Sequence, residues 1–365
     1  MESKRLNDIC LNITDGTHST VHDCDGTDYY LLSCKNIKQG RINISKDDRT
    51  ISFNTLSQLR KRTMMSIDDV VVSSVGTIGE VAIISNMPNY EFQRSVAILK
   101  PNSNLVLPKY LMFYLTSFKG QSQIKSRVKG AAQPCLFLSD IRDICIDLPT
   151  IEEQQHIVNT IGSADDLIEN LTSQNEKIFS IGLTTINRLN ETCRRQLLSS
   201  ICKFEKGFEV GSKQYIDGEF KDGLIRYLRV GDLLSEGSTF LKPTSELVVC
   251  KFEDILIAFD GAPGRNAFGL EGAYSSGIYK VICEKQNKGF IFFELNSELN
   301  RSIIKNHSQG TTILHAGKSI QFLECCKAKE EDIKTLSSLF KLMVLNKDKI
   351  KYLKRIKQEL LTKYF

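Results

Sequence analysis

The chain has 365 residues, of which 41% are hydrophobic and 25% are charged, the composition of an ordinary globular protein with two or three domains. No apolar run approaches the length of a membrane span, the first residues lack the apolar segment of a signal peptide, and the 11 cysteines and five histidines show no metal-ligand spacing. The sequence therefore favours a cytoplasmic protein with reduced thiols and no membrane contact. Its net charge of +5 permits an acidic partner without identifying one.

The first 148 residues mix short β-rich runs with clusters of turn-forming residues. Strands are predicted at residues 69–74, 81–85 and 95–99, where β-branched residues dominate, and a helix is predicted near residues 108–124. Glycine, asparagine and aspartate separate these runs, as they do in a globular domain rich in turns.

A long amphipathic helix is predicted for residues 149–200, directly after the first domain. Thr150 and Glu153 have the spacing of a capping box, which marks a helix start. Apolar residues then recur at spacings of three and four, which is typical of a coiled coil, and Asn175 falls on the same seam, where an asparagine can fix the register. The helix is expected to continue past Gly182 to about Leu198.

Residues 201–324 repeat the order of the first domain. After an apolar run, one aspartate and two glycines recur at the same spacing: Asp69, Gly76 and Gly79 match Asp254, Gly261 and Gly264. Further matches pair Tyr30 with Tyr227, Tyr110 with Phe290, and Ile141 with Ile320. Because the matches keep their order, the chain consists of two copies of one unit, a globular part followed by a helix.

Residues 325–365 form the second predicted long helix. An acidic cluster at residues 330–332 suits a helix N-terminus, and an apolar seam follows from Ile333 to Leu360. A helix with one apolar stripe is not stable alone in water, so the two stripes are expected to bury each other. The predicted fold class is mixed α/β (α+β), with two globular domains, two long helices in an antiparallel coiled coil, and a pseudo-two-fold internal repeat.

Catalytic motifs are not found in the sequence. Residues 315–319 resemble a phosphate loop, but Thr312 stands where such a loop needs its first glycine. The glycine-rich turn at residues 261–264 recurs at residues 76–79, so shared structure explains it better than a single cofactor site. The sequence predicts a non-catalytic chain that holds no metal and no cofactor.

Polar loops follow apolar strands at matching places in both copies, which favours a nucleic-acid surface over scattered solvated turns. Arg, Lys, Asn and Gln can read base edges, Ser and Thr can hold phosphates, and duplex DNA is itself a two-fold partner. The residues expected to contact DNA are Thr17, His18, Lys35, Ser74, Thr77, Arg94, Lys129, Gln133, Lys213, Gln214, Tyr215, Arg265, Asn266, Ser275, Ser276 and Thr311.

Four segments of the chain carry a resemblance to a known family. They are SSVGTIGEVAII from Ser73, QRSVAILKP from Gln93, AAQPCLFLSDI from Ala131 and LPTIEEQQHIV from Leu148. With them, the chain resembles the specificity subunit of Type I restriction-modification enzymes. The second copy departs from the pattern, because CCKAKEED stands where the first copy has LPTIEEQ.

This resemblance implies two target-recognition domains, at residues 1–148 and 201–324, which each read one half of a split double-stranded DNA target. The helices at residues 149–200 and 325–365 would act as a ruler for the unread spacer. The subunit would be non-catalytic and would recruit two modification subunits, which bind S-adenosylmethionine and methylate adenine, and restriction subunits that use ATP and Mg. The helix starts would bind these partners, through Glu152, Glu153, Gln154, Glu330 and Glu331.

Two other functions stay open at this point. The chain could be a non-enzymatic scaffold whose coiled coil binds protein while its globular domains bind nothing. It could also be a DNA-binding regulator that works without a methyltransferase. The neighbouring genes would discriminate among the three, since only a restriction-modification system places a methyltransferase and a translocating endonuclease beside it.

Overall fold

The computed structural model describes residues 2–38, 40–130, 132–218, 220–235, 237–309 and 314–365. The chain divides into two compact units. The first unit comprises Met1–Asp166 together with Leu353–Phe365, and the second unit comprises Leu167–Tyr352. Each unit therefore combines its own sheets and short helices with one end of each long helix, which confirms the predicted mixed α/β fold.

The first half of the chain supplies ten strands among its described residues. They are β1 Glu2–Arg5, β2 Cys10–Asp15, β3 Tyr30–Leu32, β4 Ile37–Lys38, β5 Arg41–Ile42, β6 Val70–Ser73, β7 Val81–Ile83, β8 Tyr90–Phe92, β9 Val96–Pro101 and β10 Cys145–Leu148. The helices are α1 Leu6–Ile9, α2 Phe53–Thr63, α3 Pro108–Thr116, α4 Phe118–Arg127, α5 Leu138–Arg142 and the long α6 Ile151–Thr192. The three strands predicted from β-branched runs correspond to β6, β7 and β9.

The core of the first unit lies on both faces of an antiparallel sheet with the order β2-β9-β6-β7. Val70 and Val72 of β6 pack with α3, whereas Val71 faces a second cluster that includes Phe92 of β8. This alternation follows from the period of two in a strand. Burial on both faces explains why the strand has an unbroken apolar sequence instead of an alternating one.

The second half of the chain supplies a further set of strands. They are β11 Arg195–Leu197, β12 Cys202–Lys206, β13 Ile216–Asp217, β14 Ile225–Leu228, β15 Thr239–Leu241, β16 Val249–Cys250, β17 Leu256–Ala258, β18 Asn266–Ala267, β19 Gly272–Tyr274, β20 Ile278–Cys283 and β21 Glu324–Cys326. The helices are α7 Lys288–Asn296, α8 Glu298–Asn306 and the long α9 Glu330–Tyr364. One antiparallel sheet has the order β12-β20-β17-β18, and a second sheet has the order β13-β15-β14-β19-β16.

The two units repeat one topology, as the sequence predicted. The sheet order β2-β9-β6-β7 recurs as β12-β20-β17-β18, the antiparallel pair β1-β10 as β11-β21, and the parallel pair β3-β8 as β14-β19. The glycines matched in the sequence also share their backbone conformation, with φ of +77° and +92° at Gly76 and Gly79 and +76° and +84° at Gly261 and Gly264. Positive φ at both places explains why glycine recurs there.

One sequence match is wrong by a single residue. The backbone N–H of Ser33 donates to the Asn36 side chain, and the N–H of Arg229 donates to the Asp232 side chain in the equivalent turn. These turns make Leu31, not Tyr30, the counterpart of Tyr227. The error arose because both copies place a tyrosine and a leucine at the start of the strand, and the shared letters matched out of register.

The long helices run antiparallel within each unit. In the first unit, Ile157 and Ile161 of α6 share a core with Leu361 of α9, and the Lys357 ammonium lies 2.6 Å from the Asp165 carboxylate. In the second unit, the Asn346 amide donates to the Asn175 side-chain oxygen at 3.0 Å. Asn175 also donates to the Met343 carbonyl at 3.2 Å, so the predicted seam asparagine does join the two helices.

Two helix predictions need correction. The helix expected at residues 108–124 is two helices, because the Ser117 hydroxyl caps α4 by accepting the Gly120 N–H at 3.2 Å, and Ser117 itself is extended. The helix expected to reach Leu198 ends at Thr192, and β11 follows directly. Pairing of β11 with β21 competes successfully with continued helix there.

Within the part of the chain that the structure describes, no helix is long and apolar enough to cross a membrane. Nor do these same residues place three or more His, Cys, Asp or Glu side chains where they could hold a metal ion.

Candidate nucleic-acid interface

Backbone hydrogen bonds join four loops of the first unit at the end of its sheet. The Arg94 N–H donates to the Thr17 carbonyl at 3.0 Å, and the Ser74 N–H donates to the Ser95 carbonyl at 2.9 Å. Lys129 and Cys135 pair with each other, and Cys135 also pairs with Val75. We call these loops, residues 15–20, 73–79, 92–95, 129–130 and 132–136, the first edge.

The first edge brings together most of the residues predicted for this unit. Thr77, Arg94 and Gln133 are exposed, whereas Thr17 and Ser74 are buried and so shape the loops from within. Arg94 forms no side-chain hydrogen bond or ion pair with the described residues. Thr17, His18, Gln93 and Arg94 line an open depression of about 240 Å³, together with Arg49.

The remaining three predicted residues of the first unit are exposed but have acidic neighbours. The His18 Nε2 lies 2.6 Å from Asp15, the Lys35 ammonium 2.8 Å from Asp48, and the Lys129 ammonium 2.6 Å from Asp140. The three carboxylates are largely buried, with 16%, 4% and 14% of their side chains exposed at Asp15, Asp48 and Asp140. A side chain that turned from its carboxylate to a phosphate would leave a buried acidic group with one partner fewer, so these three residues serve the fold at least in part.

Two arginines that the sequence analysis did not single out hold residues 15–23, which include the first loop of this edge. Arg62, at the end of α2, donates to the carbonyls of Asp15 and Gly16. Arg49 donates to the Val21 carbonyl at 2.7 Å and to Asp23 at 2.7 Å. No motif marks either residue, because the partners are backbone carbonyls that are distant in sequence.

The second unit joins its loops in the same way. The Phe208 N–H donates to the Tyr274 carbonyl at 3.0 Å, and the Gly261 N–H donates to the Leu314 carbonyl at 2.8 Å. His315 pairs with both Asp260 and Gln309, as Cys135 pairs with Val75 and Lys129. We call residues 207–215, 260–265 and 275–277, with residues 309 and 314–315, the second edge.

A close approach repeated in both units shows how similar the edges are. A Cβ atom on Gly16 would lie 2.1 Å from the Phe92 carbonyl oxygen, and one on Gly207 would lie 2.2 Å from the Ser275 carbonyl oxygen. Only glycine fits between the strand and the neighbouring loop at these points. Each edge is therefore built on the same backbone, and the two edges differ in their side chains.

The predicted residues of the second edge fall into accessible and engaged groups. Lys213 and Gln214 are exposed, and no other described side chain binds either of them. Tyr215 packs against Tyr227 with ring centroids 5.5 Å apart, and the Arg229 guanidinium lies 5.7 Å from its centroid. Ser276 donates to Glu209 at 2.7 Å.

Three further predicted residues serve the fold of the second unit at least in part. The Asn266 amide exchanges hydrogen bonds with Asn296 at 3.1 and 3.0 Å, which uses both ends of its side chain. Arg265 is half-buried and donates to the Val230 carbonyl at 3.3 Å, and Ser275 is buried. Thr311 lies outside the described residues.

Among the residues predicted to bind partner proteins, Gln154 needs correction. It is 0% exposed, and its amide bonds the Leu107 N–H at 2.9 Å and the carbonyls of Leu105 and Pro149 at 3.0 Å. Gln154 therefore holds the start of α6 in the first unit and is not available to a partner. This burial could not be predicted from the sequence, because a glutamine in a polar stretch is usually exposed.

The four acidic residues predicted with Gln154 lie at helix starts. Glu153 completes the capping box with Thr150 through hydrogen bonds of 2.9 and 3.3 Å, as predicted. Glu152 and Glu331 are exposed. Glu330 is paired with Lys334 at 2.8 Å, and that hydrogen bond lowers the pKa of the Glu330 carboxyl below its ordinary value.

Comparison with known proteins gives a consistent result. Residues 1–179 match the family model described as Type I restriction modification DNA specificity domain. The chain is 28% identical over 132 residues to the Type I restriction enzyme EcoBI specificity subunit of Escherichia coli, covering 36% of this chain and 27% of that protein. It is 24% identical over 317 residues to the MjaVIII specificity subunit of Methanocaldococcus jannaschii, covering 73% of each.

A solved structure has a similar fold. The S subunit of a Type I restriction-modification system from M. genitalium superposes with a TM-score of 0.55 at 16% sequence identity, covering 100% of this chain and 96% of that one. This match extends over both units of the chain. The matches to curated relatives are shorter, and the one to the EcoBI subunit spans about a quarter of that protein.

Proposed function

Given that this chain belongs to the family of Type I restriction-modification DNA specificity subunits, we propose that its two units read the two halves of one split double-stranded DNA target. In this proposal the first edge contacts one half-site and the second edge contacts the other. Exposed cations and amides at each edge read base edges in the major groove, and hydroxyls and backbone amides hold phosphates.

The observation that carries the proposal is the repetition of one loop edge in both units. The first edge presents Arg94, Thr77 and Gln133, and the second edge presents Lys213 and Gln214. A repeated backbone with different exposed side chains suits two readers of different base sequences. A scaffold whose globular domains bind nothing would have no use for two such edges.

The long helices are proposed to set the distance between the two half-sites. α6 contains 42 residues and α9 contains 35, so at about 1.5 Å per residue they are roughly 50 to 60 Å long. The inter-helix bonds of Asn175 and Asn346 fix their register. A fixed register gives one spacer length in place of a range.

We further propose that two modification subunits dock on this chain, and that restriction subunits join through them. Glu152, Glu153, Glu330 and Glu331 at the helix starts are the candidate docking residues. S-adenosylmethionine, ATP and Mg would be bound by those partners, and the chain itself would be non-catalytic. Because such a complex acts on cellular DNA, we place the chain in the cytoplasm.

The test is the pattern of adenine methylation in cells with and without this chain. We expect a split motif that is methylated only when the chain is present. Methylation that persists unchanged in its absence would contradict the proposal, and so would methyl transfer by the purified chain alone. DNA binding without any change in methylation would favour a stand-alone regulator.

A further inference from the structure

The side chains of His315 and Asp260 form a hydrogen bond that joins two loops of the second edge. The His315 Nδ1 lies 2.8 Å from the Asp260 carboxylate, and the two backbones also pair. The His315 side chain is 63% exposed, while that of Asp260 is 25% exposed. The carboxylate is thus set back at the end of β17, and the imidazole lies in front of it at the surface.

The fold does not need this pair. In the first unit the same backbone pairing is made by Val75 and Cys135, which form no ion pair. The repeat therefore closes its loops equally well with an apolar residue and a thiol. Because the histidine and the aspartate add nothing that the backbone requires, another role for them is indicated.

We propose that His315 is a specificity-determining residue of the second edge and that Asp260 is its positioning residue. A carboxylate at Nδ1 selects the tautomer with the proton on Nδ1, and so leaves Nε2 as an oriented acceptor. In the major groove such an acceptor fits the exocyclic amine of adenine or cytosine. This inference rests on the proposed reading of one half-site by each unit.

Neither residue was among those predicted from the sequence. His315 and Asp260 are distant in the chain, and neither stands in a motif with the other. The segment that contains His315 has only a partial resemblance to a phosphate loop, which does not mark the histidine as a base-reading residue. Its counterpart in the first copy is a cysteine, so the repeat itself gave no signal either.

The experiment compares His315→Ala, His315→Leu and Asp260→Asn with the wild-type chain in its complex. The exposed His156→Gln on α6 serves as the control for loss of an imidazole. Binding is measured on duplexes that carry the motif identified from adenine methylation in cells, either intact or with one base pair changed. Lys213→Ala identifies which half-site belongs to the second edge.

We expect His315→Ala to reduce discrimination at one base pair of that half-site by roughly 5- to 150-fold, the range for one lost base contact. Asp260→Asn should reduce discrimination at the same base pair by a smaller factor, and discrimination at the other half-site should be unaffected. Full discrimination in both His315 variants would overturn the proposal. If His315→Ala fails to fold, His315→Leu, which fills a similar volume but has no hydrogen-bond acceptor, decides in the same way.

Failure of the wider function has a different signature. In that case the wild-type complex would show no preference for the motif over unrelated DNA, and no variant would change this. A wild-type complex that prefers the motif, with His315 variants that keep every preference, would reject only the role of His315.

Discussion

Arg94 is the exposed cation of the first edge that no described side chain neutralises. A guanidinium can donate two hydrogen bonds to guanine, so Arg94→Ala is expected to cost about 1 to 3 kcal/mol of binding free energy if it reads a base. The loss should be confined to one half-site. It is measured by titrating the complex with duplexes in which one half-site or the other is scrambled.

The matched control for Arg94 is Arg188→Ala, an exposed arginine of α6 that is not part of either edge. That variant should bind both half-sites nearly as the wild type does. Equal weakening at both half-sites by Arg94→Ala would contradict the assignment of one half-site to each unit.

Glu294 is a buried carboxyl whose hydrogen-bond partners are neutral. It is 0% exposed and accepts hydrogen bonds from the Asn190 amide at 2.9 Å and from the Cys326 N–H at 2.8 Å. Burial raises the pKa of Glu294 above its ordinary value, more than these hydrogen bonds lower it. Nearby, the side-chain oxygen of Asn190 is buried without a partner among the described residues.

This environment predicts a pH-dependent stability of the second unit. As the pH rises through the ordinary carboxyl range, the unfolded chain loses the Glu294 proton before the folded chain does, so the free energy of unfolding falls. It becomes constant above the raised pKa. Glu294→Gln should remove this fall and make the protein more stable than the wild type at alkaline pH.

In Glu294→Gln, the neutral side-chain amide can still accept the Cys326 N–H. It can also donate to the Asn190 side-chain oxygen once the Asn190 amide rotates. Denaturant unfolding from pH 4 to pH 9 measures the effect, with the exposed Glu246→Gln as control. A variant curve parallel to that of the wild type would show that Glu294 is already ionised in the fold.

For single residues, the sequence predicted which side chains could bind DNA or a partner better than it predicted which of them are accessible. Lys213 and Arg94 were predicted and are accessible, because a charged residue in a polar loop is nearly always exposed. Asn266 and Gln154 were predicted equally well by type, but Asn296 and the backbone near Leu107 already bind them. A long-range hydrogen bond leaves no local pattern, so no rule of spacing could have removed these two.

At the element scale, two glycines of α6 have opposite surroundings. A Cβ on Gly182 would lie 2.2 to 2.7 Å from ring atoms of Phe293, which is fully buried, whereas one on Gly162 meets nothing within 4 Å. The glycine at 182 is therefore what lets α6 lie against α7.

Gly182→Ala is accordingly expected to destabilise the second unit by about 1 to 3 kcal/mol, because the crowded ring cannot move. Gly162→Ala, in the same helix, should instead stabilise the protein by up to about 1 kcal/mol through its helix propensity. Thermal unfolding of both variants makes the comparison. Equal effects at the two positions would show that the close packing on Phe293 is not important for stability.

The long helices were predictable as elements because their apolar residues recur every three or four positions over many turns. Their ends were less so. Thr150 marked the start of α6 through its capping box, but the end at Thr192 depends on strand pairing with β21, which is far away in sequence. The break at Ser117 was missed because its apolar neighbours continue the helical pattern on both sides.

At the scale of the whole molecule, the repeat was detectable because both copies keep their turn glycines and the order of their elements. The elements that each unit adds to the shared topology were not detectable in this way. The first unit inserts α2, whose Arg62 holds a loop of the first edge, and the second unit adds β13, β15 and β16. These additions have no counterpart in the other copy, so no internal comparison could have predicted them.

We propose that the two long helices hold two half-site readers at a fixed spacing. The test inserts four residues in each helix, after Asp166 in α6 and after Tyr352 in α9, at the boundaries between the two units. This position avoids Gly182, whose contact with Phe293 an insertion would break. Four residues add about one turn and 6 Å, which is nearly the rise of two base pairs, and approximately keep the apolar face.

The measurement is the methylated motif in cells that carry the lengthened chain. We expect both half-site sequences to stay the same and the unread gap between them to grow by one or two base pairs. A motif with an unchanged gap, or with altered bases in either half-site, would contradict this proposal.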